Sequence, residues 1–553
     1  MHPDIRRKLN RITDILWAGG VTNPVTYIEQ ISYLIFLKLL DEEESDRELR
    51  ARLIGSGGTK NGNGKLLFTK QASRYRWSKW KFKSGNDLRD FLRDEVFPYL
   101  ASLVKDEPRV AEYFRDAVLE IVDPAVLKQV IDELDTIEFK KLGPDVKGDL
   151  FEYLLTHLGQ SALNGQFRTP RQIRAFMVEM LNPDFGDTIY DPACGTGGFL
   201  IDVVDSLLAK YSETPEEIPI YGEEWLERHG QSLSEAKKAN PNLQTYRKGP
   251  GERIPDWKLL ESSIYGIDVS RQLMRIAMMN LVLHGIRHAN LKRANSLSEL
   301  GGLSEDDLNR RYKVILSNPP FAGQLPKESI RQDLPTRAKR SELLFLGLMM
   351  KHLAPGGRCA VVVPEGLVFG SSNAHIELRR KLIDDYDVLA VVSLPAAVFR
   401  PYAGAKTAVL VFRRPAEGKK RTVDRVWFYE IRNDGFDPDK IQGGGRPETP
   451  DKNDIPRLLI EWRKHKKTGF KNPPGIEAGA VLERGSEPPA CWWASLKTIA
   501  ANQFSLAAGQ YKPHAGDDVP EEDPAALIRE VTALEREIQD GLEKLLADVE
   551  STT

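Results

Sequence analysis

Asn318-Pro319-Pro320-Phe321 stands directly behind the apolar run Val314-Ile315-Leu316. Proline cannot donate to a sheet ladder and fixes its own φ near −65°. It also pushes the residue before it toward extended geometry. The run therefore reads as a buried strand, and Asn318 with its two prolines ends it in a stiff, extended turn. Such a turn holds an amide and its neighbouring carbonyls at fixed positions just past a strand end, where open α/β sheets bind ligands.

Upstream, TIYDPACGTGGFLI reads as strand, acidic turn, glycine-rich loop and helix, beginning at Thr188. Gly195, Gly197 and Gly198 allow a sharp turn and a close approach to a ligand. Asp191, at the strand end, can receive hydrogen bonds from a cationic or hydroxylated ligand. The dinucleotide spacing GxGxxG is absent. A second acidic residue is expected at the end of the next strand, for ribose hydroxyls. Glu223 in IPIYGEE and Asp268 in SIYGIDVS compete for that place; Asp268 is preferred because a helix pattern follows it directly. Asn295 lies in a polar turn before the Val314 strand, where its amide could read an adenine edge or simply close the turn. In NGQFRTPRQIRAFM, Thr169-Pro170 is a helix start. Arg168 and Arg171 beside it suit a carboxylate, although alone the pair reads as an ordinary cap.

These residues need a scaffold, and the chain's patterning supplies one. From about 165 to 412, short β-branched strands alternate with helical stretches, which predicts a mostly parallel sheet with helices on both faces. The run from Val388 and the AVLVF run from Ala408 are close enough to be antiparallel. The charged stretch 211–258 reads as a surface insertion. Residues 1–163 read as a helical N-terminal domain, with Asn23-Pro24 capping a helix. The region 416–553 is polar and rich in Lys, Gly and Pro, and closes with an interrupted heptad-like stripe over 524–550 that packs on its own protein or, as its terminal position favours, on a partner's helix.

With 553 residues the chain is too long for one core. At 41% hydrophobic and 29% charged it has ordinary globular composition, and its net charge of −2 neither favours nor excludes nucleic acid. Three scattered cysteines, Cys194, Cys359 and Cys491, indicate no zinc site and fit a reducing compartment. The apolar runs are too short to span a bilayer. The expected setting is the cytoplasm. The glycine-rich stretch from Gly55 lacks the Ser or Thr that a phosphate-binding loop needs after Lys65. The stretch RYRWSKWKFK from Arg74 could touch nucleic acid or form a solvated hairpin.

DPACGTGG, an acidic strand end and SNPPF, in that order, are similar to the signature of amino-group methyltransferases that use S-adenosyl-L-methionine. The chain resembles the modification subunit of Type I restriction–modification systems, a DNA adenine-N6 methyltransferase family. The helical N-terminus, the GQFRTPR segment, LPAAVFRPYAGAKTAVLVFRR and the tail motif NQFSLAAGQY extend the likeness over nearly the whole chain. The resemblance implies an α/β Rossmann-like catalytic domain over 164–415, between the helical N-terminal domain and a C-terminal coiled-coil-like tail. It implies that Gln166, Phe167, Arg168, Thr169, Pro170 and Arg171 cradle the cofactor with Ala193, Cys194, Gly195, Thr196 and Gly197. Asp191 would lie near its methionine end, Asp268 on the ribose and Asn295 at its adenine. It implies double-stranded DNA, a specificity subunit, a second copy of this chain and a restriction or translocase subunit as partners.

The implied chemistry suits the residues. An adenine amino nitrogen is a poor nucleophile because its lone pair is delocalised. The Asn318 side-chain oxygen and the Pro319 carbonyl can accept its two N–H bonds and draw the lone pair back, preorganised by the prolines. Phe321 would stack on the extruded base, whose removal costs roughly a few kcal/mol. No Pro-Cys pair is present for attack on a cytosine ring. N4-cytosine and protein-glutamine methylation, or a subunit that binds without catalysis, remain as alternative readings.

Overall fold

The computed structural model describes residues 3–54, 67–69, 71–105, 107–139, 153–154, 169–211, 216–219, 245–248, 257–286, 288–299, 301–321, 323–400, 404, 406–441, 446–470, 475–483, 487–515, 532 and 535. Gln166, Phe167, Arg168, Glu223, the loop from Gly55 and nearly all of 524–550 therefore lie outside the described residues.

Val314, Ile315 and Leu316 form the centre of a strand whose side chains alternate between two cores, Val314 and Leu316 on one face of the sheet and Ile315 on the other. Nine strands share this sheet: β1 (Ile189–Asp191), β2 (Ile264–Asp268), β3 (Asn290–Arg293), β4 (Tyr312–Ser317), β5 (Leu353–Pro364), β6 (Asp387–Ser393), β7 (Thr407–Arg413), β8 (Arg425–Glu430) and β9 (Cys491–Ser495). Their order is β3-β2-β1-β4-β5-β7-β6-β8-β9. β7 runs antiparallel to β5 and β6, and β9 antiparallel to β8; the other pairs are parallel. Succession reverses between β1 and β4, which opens a crevice at their carboxyl ends. Asp191 and Asn318 stand at its two sides.

The sheet does not stop at the expected boundary near 415. β8 and β9 extend it, and Trp427, Phe428, Trp492 and Trp493 are buried within it. The polar composition after 415 hid them, because these two strands are short and separated by about sixty residues of loop, hairpin and helix. Within the expected insertion, Glu216–Pro219 pairs antiparallel with Thr245–Lys248.

The N-terminal region is helical. It includes α1 (Pro3–Ala18), α2 (Pro24–Ile54) and α3 (Pro124–Asp135). Asn23 Oδ1 accepts from Val25 N at 2.9 Å and so caps α2. Helices that border the sheet include α4 (Arg171–Leu181), α5 (Gly198–Lys210), α6 (Arg271–Leu283) and α7 (Ser341–His352). α6 serves two cores. Met274, Ala277 and Leu281 pack with the sheet, whereas Ile276, Met279 and Leu283 pack with the N-terminal helices. Between them Arg275 Nη1 bonds Glu29 at 2.6 Å and Tyr33 at 2.5 Å, with all three side chains buried. A buried pair of this kind is costly to break by removing one partner, about 3–5 kcal/mol.

RYRWSKWKFK is not a hairpin. Trp77–Trp80 is a short helix with both tryptophans buried, and Arg76 bonds Asp41 and Glu48. Aromatics that read as a base-stacking face are core, leaving Phe82 exposed beside Lys79 and Lys83. Among the described residues, no helix is long and apolar enough to cross a membrane.

Candidate active site

Each of β1 to β4 ends in an Asx residue or is followed by one, and three of the four close the same local turn. Asp191 Oδ1 accepts from Ala193 N at 3.0 Å, Asp268 Oδ1 from Ser270 N at 2.8 Å, and Asn295 Oδ1 from Leu297 N at 3.0 Å. In each, a side-chain oxygen satisfies the N–H two residues on. Asn318 cannot do this, since two residues on is Pro320, which has no N–H. Its Nδ2 instead donates to Thr169 Oγ1 at 2.9 Å, and its Oδ1 is buried with no hydrogen-bond partner.

Tertiary contacts hold this loop rigid. Ser341, at the start of α7, reaches the Pro320 carbonyl at 3.4 Å and pairs with Gly323 through the main chain. Pro319 is buried and Pro320 exposed. Phe321 is half-buried and sits edge-on to Phe399, with ring centroids 6.0 Å apart.

Across the crevice, the glycine loop joins β1 to α5. Gly195 and Gly197 have φ of +54° and +81°, and the space where a Gly195 side chain would begin is open. Asp268 Oδ2 accepts from Gly195 N at 3.0 Å, so the end of β2 is tied to this loop. Cys194 N donates to the Ile267 carbonyl, and Asn280 Nδ2 on α6 donates to the Thr196 carbonyl at 3.1 Å. Ala193 borders the same turn. Cys194 is buried against Met274, and burial pushes its thiol well up, so it is no nucleophile.

Asp191 is buried, and Ser317 Oγ donates to it at 2.7 Å from the end of β4. Burial pushes its carboxyl up to about 7, the Asp268 charge adds to the rise, and the bonds from Ser317 and Ala193 oppose it. Burial also raises Asp268, against the backbone N–H groups that hold it. Two carboxyls that resist ionisation beside an open loop suit a ligand bearing positive charge and hydroxyls. S-adenosyl-L-methionine has both, so the donor set fits it.

The opposite wall is the segment before α4. Thr169 is buried, its carbonyl accepting from Arg174 Nη1 at 3.0 Å, and Arg174 pairs with Asp202 on α5 at 2.8 Å. Pro170 precedes α4, and Arg171 opens it. Gln172 donates to Asp434 at 3.1 Å, and Asp434 is paired in turn with the buried Arg446. Asp434 and Arg446 come from the region placed outside the catalytic domain by composition.

Hydrogen bonds thus link Thr169 to Asn318, Ser317 to Asp191 and Gly195 to Asp268, while Ser296, next to Asn295, bonds the Pro192 carbonyl. Sequence reading missed Ser317, Arg174, Asn280 and Asp434. Ser317 carried a signal, a hydroxyl at the inward end of the strand; the other three are placed by packing across elements. Asn295 is also changed in meaning, because its oxygen is engaged in its own turn. Among the described residues, no group of three or more His, Cys, Asp or Glu could hold a metal ion.

The family description N-6 DNA Methylase matches residues 142–234 and 254–518. The chain belongs to the N-6 DNA methylase family. A second description, HsdM N-terminal domain, matches residues 5–134. This family member is 28% identical over 534 residues to the Type I restriction enzyme EcoEI methylase subunit of Escherichia coli, spanning 94% of this chain and 92% of that protein. It is 25% identical to the EcoKI methylase subunit of Escherichia coli K12, over 78% of this chain and 71% of that one. A chain of a solved type I R-M system matches with a TM-score of 0.66 and 25% identity, covering 100% of this chain and 99% of that one. The N-6 DNA methylase match spans both sides of residue 415, as the sheet does.

Proposed function

We propose that this chain is the modification subunit of a Type I restriction–modification complex and methylates adenine N6 in DNA. The observation that carries the reading is the buried, unpartnered Oδ1 of Asn318, at a strand end beside a glycine loop and carboxyls that suit S-adenosyl-L-methionine. When bound, that cofactor supplies an electrophilic methyl group. Gly195, Thr196 and Gly197 would cradle it, with Ala193 and Cys194 shaping the turn, Asp191 toward its ammonium and Asp268 toward its ribose. Gln166, Phe167, Arg168, Pro170 and Arg171 would line its methionine side, and Asn295 its adenine end through the turn it closes.

The Asn318 oxygen and the Pro319 carbonyl accept the two N–H bonds of the target amino group. Their fixed positions favour the pyramidal nitrogen that attacks, at no cost of rearrangement. Pro320 denies the amide a local donor, and Phe321 stacks on the base drawn out of the duplex. The amino proton leaves to solvent after transfer. A covalent nucleophile is not required.

The named relatives are methylase subunits of Type I restriction enzymes, which supports a setting with double-stranded DNA, a specificity subunit, a second copy of this chain and a restriction or translocase subunit, in the cytoplasm. Residues 524–550 would dock the specificity subunit. The test is sequencing of methylated bases in DNA from cells carrying the wild-type or the Asn318→Ala chain. Loss of one N6-methyladenine motif is expected. Unchanged methylation, or loss of a cytosine mark, would overturn the reading.

A further inference from the structure

We propose that Thr169 is a positioning residue for methyl transfer, through its grip on the amide of Asn318; this rests on the amino-methyltransferase reading above. An asparagine amide has one accepting end and one donating end, and only the accepting end can polarise a target amino group. Turned over, it would set N–H against N–H. Nothing local decides between the two ends, because the two residues after Asn318 are prolines without N–H groups. Thr169 takes the donating end: its hydroxyl receives Nδ2 at 2.9 Å and leaves Oδ1 without a partner. A hydroxyl can accept or donate. Once an amino group enters, the Thr169 oxygen allows the amide to keep Oδ1 toward it while Nδ2 stays satisfied.

Thr169 is built to stay in place. It is 6% exposed, its β-branched side chain is stiff at χ1, and Pro170 fixes the next φ. Its carbonyl is held by Arg174, which is anchored to Asp202 on α5. Within the first turn of α4, Gln172 is held by Asp434. The segment is therefore tied on both sides, and a hydroxyl in it can act as a fixed reference for a side chain 149 residues away. The resemblance assigned Thr169 to cofactor binding, and the geometry adds a second and separable duty toward the base.

The test uses the full chain purified with its specificity subunit, carrying Thr169→Val, Thr169→Ser or Asn318→Asp. Methyl transfer is measured in single turnover at saturating cofactor and DNA, and cofactor affinity separately by calorimetry. At saturating cofactor Thr169→Val should transfer roughly 10- to 100-fold more slowly, a loss beyond any change in its cofactor affinity, whereas Thr169→Ser keeps most of the rate. In Asn318→Asp both oxygens accept, so no end has to be chosen and adding Thr169→Val should slow transfer far less. An unchanged rate in Thr169→Val, an equal loss in Thr169→Ser, a loss explained by cofactor affinity, or an equal loss in the Asn318→Asp background would each overturn the role. If Asn318→Asp is too slow to measure, the valine–serine pair decides. A wild-type complex that methylates no amino group would sink the functional reading instead.

Discussion

Four Asx residues stand at the carboxyl ends of β1 to β4, and three behave alike while one does not. Asp191, Asp268 and Asn295 each bond the N–H two residues on, closing a turn from within their own segment. Asn318 finds Pro320 at that place, and its amide reaches across the crevice to Thr169. The difference teaches what the double proline accomplishes. A polar side chain at a strand end normally satisfies itself locally. Two prolines remove that option, so a buried acceptor is left for a ligand.

The sharpest way to break the contrast is to remove the exceptional amide. Asn318→Ala should lower single-turnover methyl transfer about 1,000-fold, in the range seen when one preorganised polar group is lost, with cofactor affinity nearly unchanged. Retained transfer would mean the free oxygen is not used.

The next effect concerns Asp191, whose carboxyl sits near 7 because it is buried and faces Asp268. Its folded pKa lies above its unfolded value of 3.8, so the folded chain holds the extra proton between about pH 4 and pH 7. Stability from this group therefore falls as pH rises through that window. A cationic ligand favours the ionised form, so cofactor affinity should rise about tenfold from pH 6 to pH 8. Asp191→Asn should flatten the slope, and a slope that persists in that variant would assign it elsewhere.

Pro320→Ala makes the exception ordinary by restoring the N–H that Asn295 uses at Leu297. We expect a fall of about tenfold or less in transfer rate, since the restored turn competes for Oδ1 at roughly one hydrogen bond's worth. Equal rates would show that Thr169 alone fixes the amide. Smallest is Asn295→Ala, which removes one turn-closing bond: about 1 kcal/mol of stability in denaturant unfolding and a few-fold loss of cofactor affinity. A loss as large as that of Asn318→Ala would erase the distinction.

Much of this was legible in the residues. The alternation of short strands and helices implied a largely parallel sheet, and the glycine turn and SNPPF marked its binding edge. Asp268, preferred over Glu223 for the helix that follows it, ends β2 and accepts from Gly195 N, while Glu223 lies outside the described residues. Other readings failed for physical reasons. RYRWSKWKFK left nucleic-acid contact and a solvated hairpin open; it is a short helix with Trp77 and Trp80 in the core, because interleaved charge hid a buried side at helical spacing. The polar stretch after 415 concealed two strands, since their apolar runs VWFY and CWWA are short and lie about sixty residues apart in polar sequence.

By itself the sequence determined which groups stand at strand ends and which of them lack a local donor, because proline's missing N–H is a covalent fact. It also determined where glycine permits left-handed turns. Only the tertiary structure decided that Thr169, 149 residues before Asn318, would take one end of its amide and leave the other free. It likewise decided that Ser317 would hold Asp191, and that Asp434 from beyond the expected boundary would steady α4. Those contacts depend on how sheet and helices pack, and no spacing along the chain encodes them.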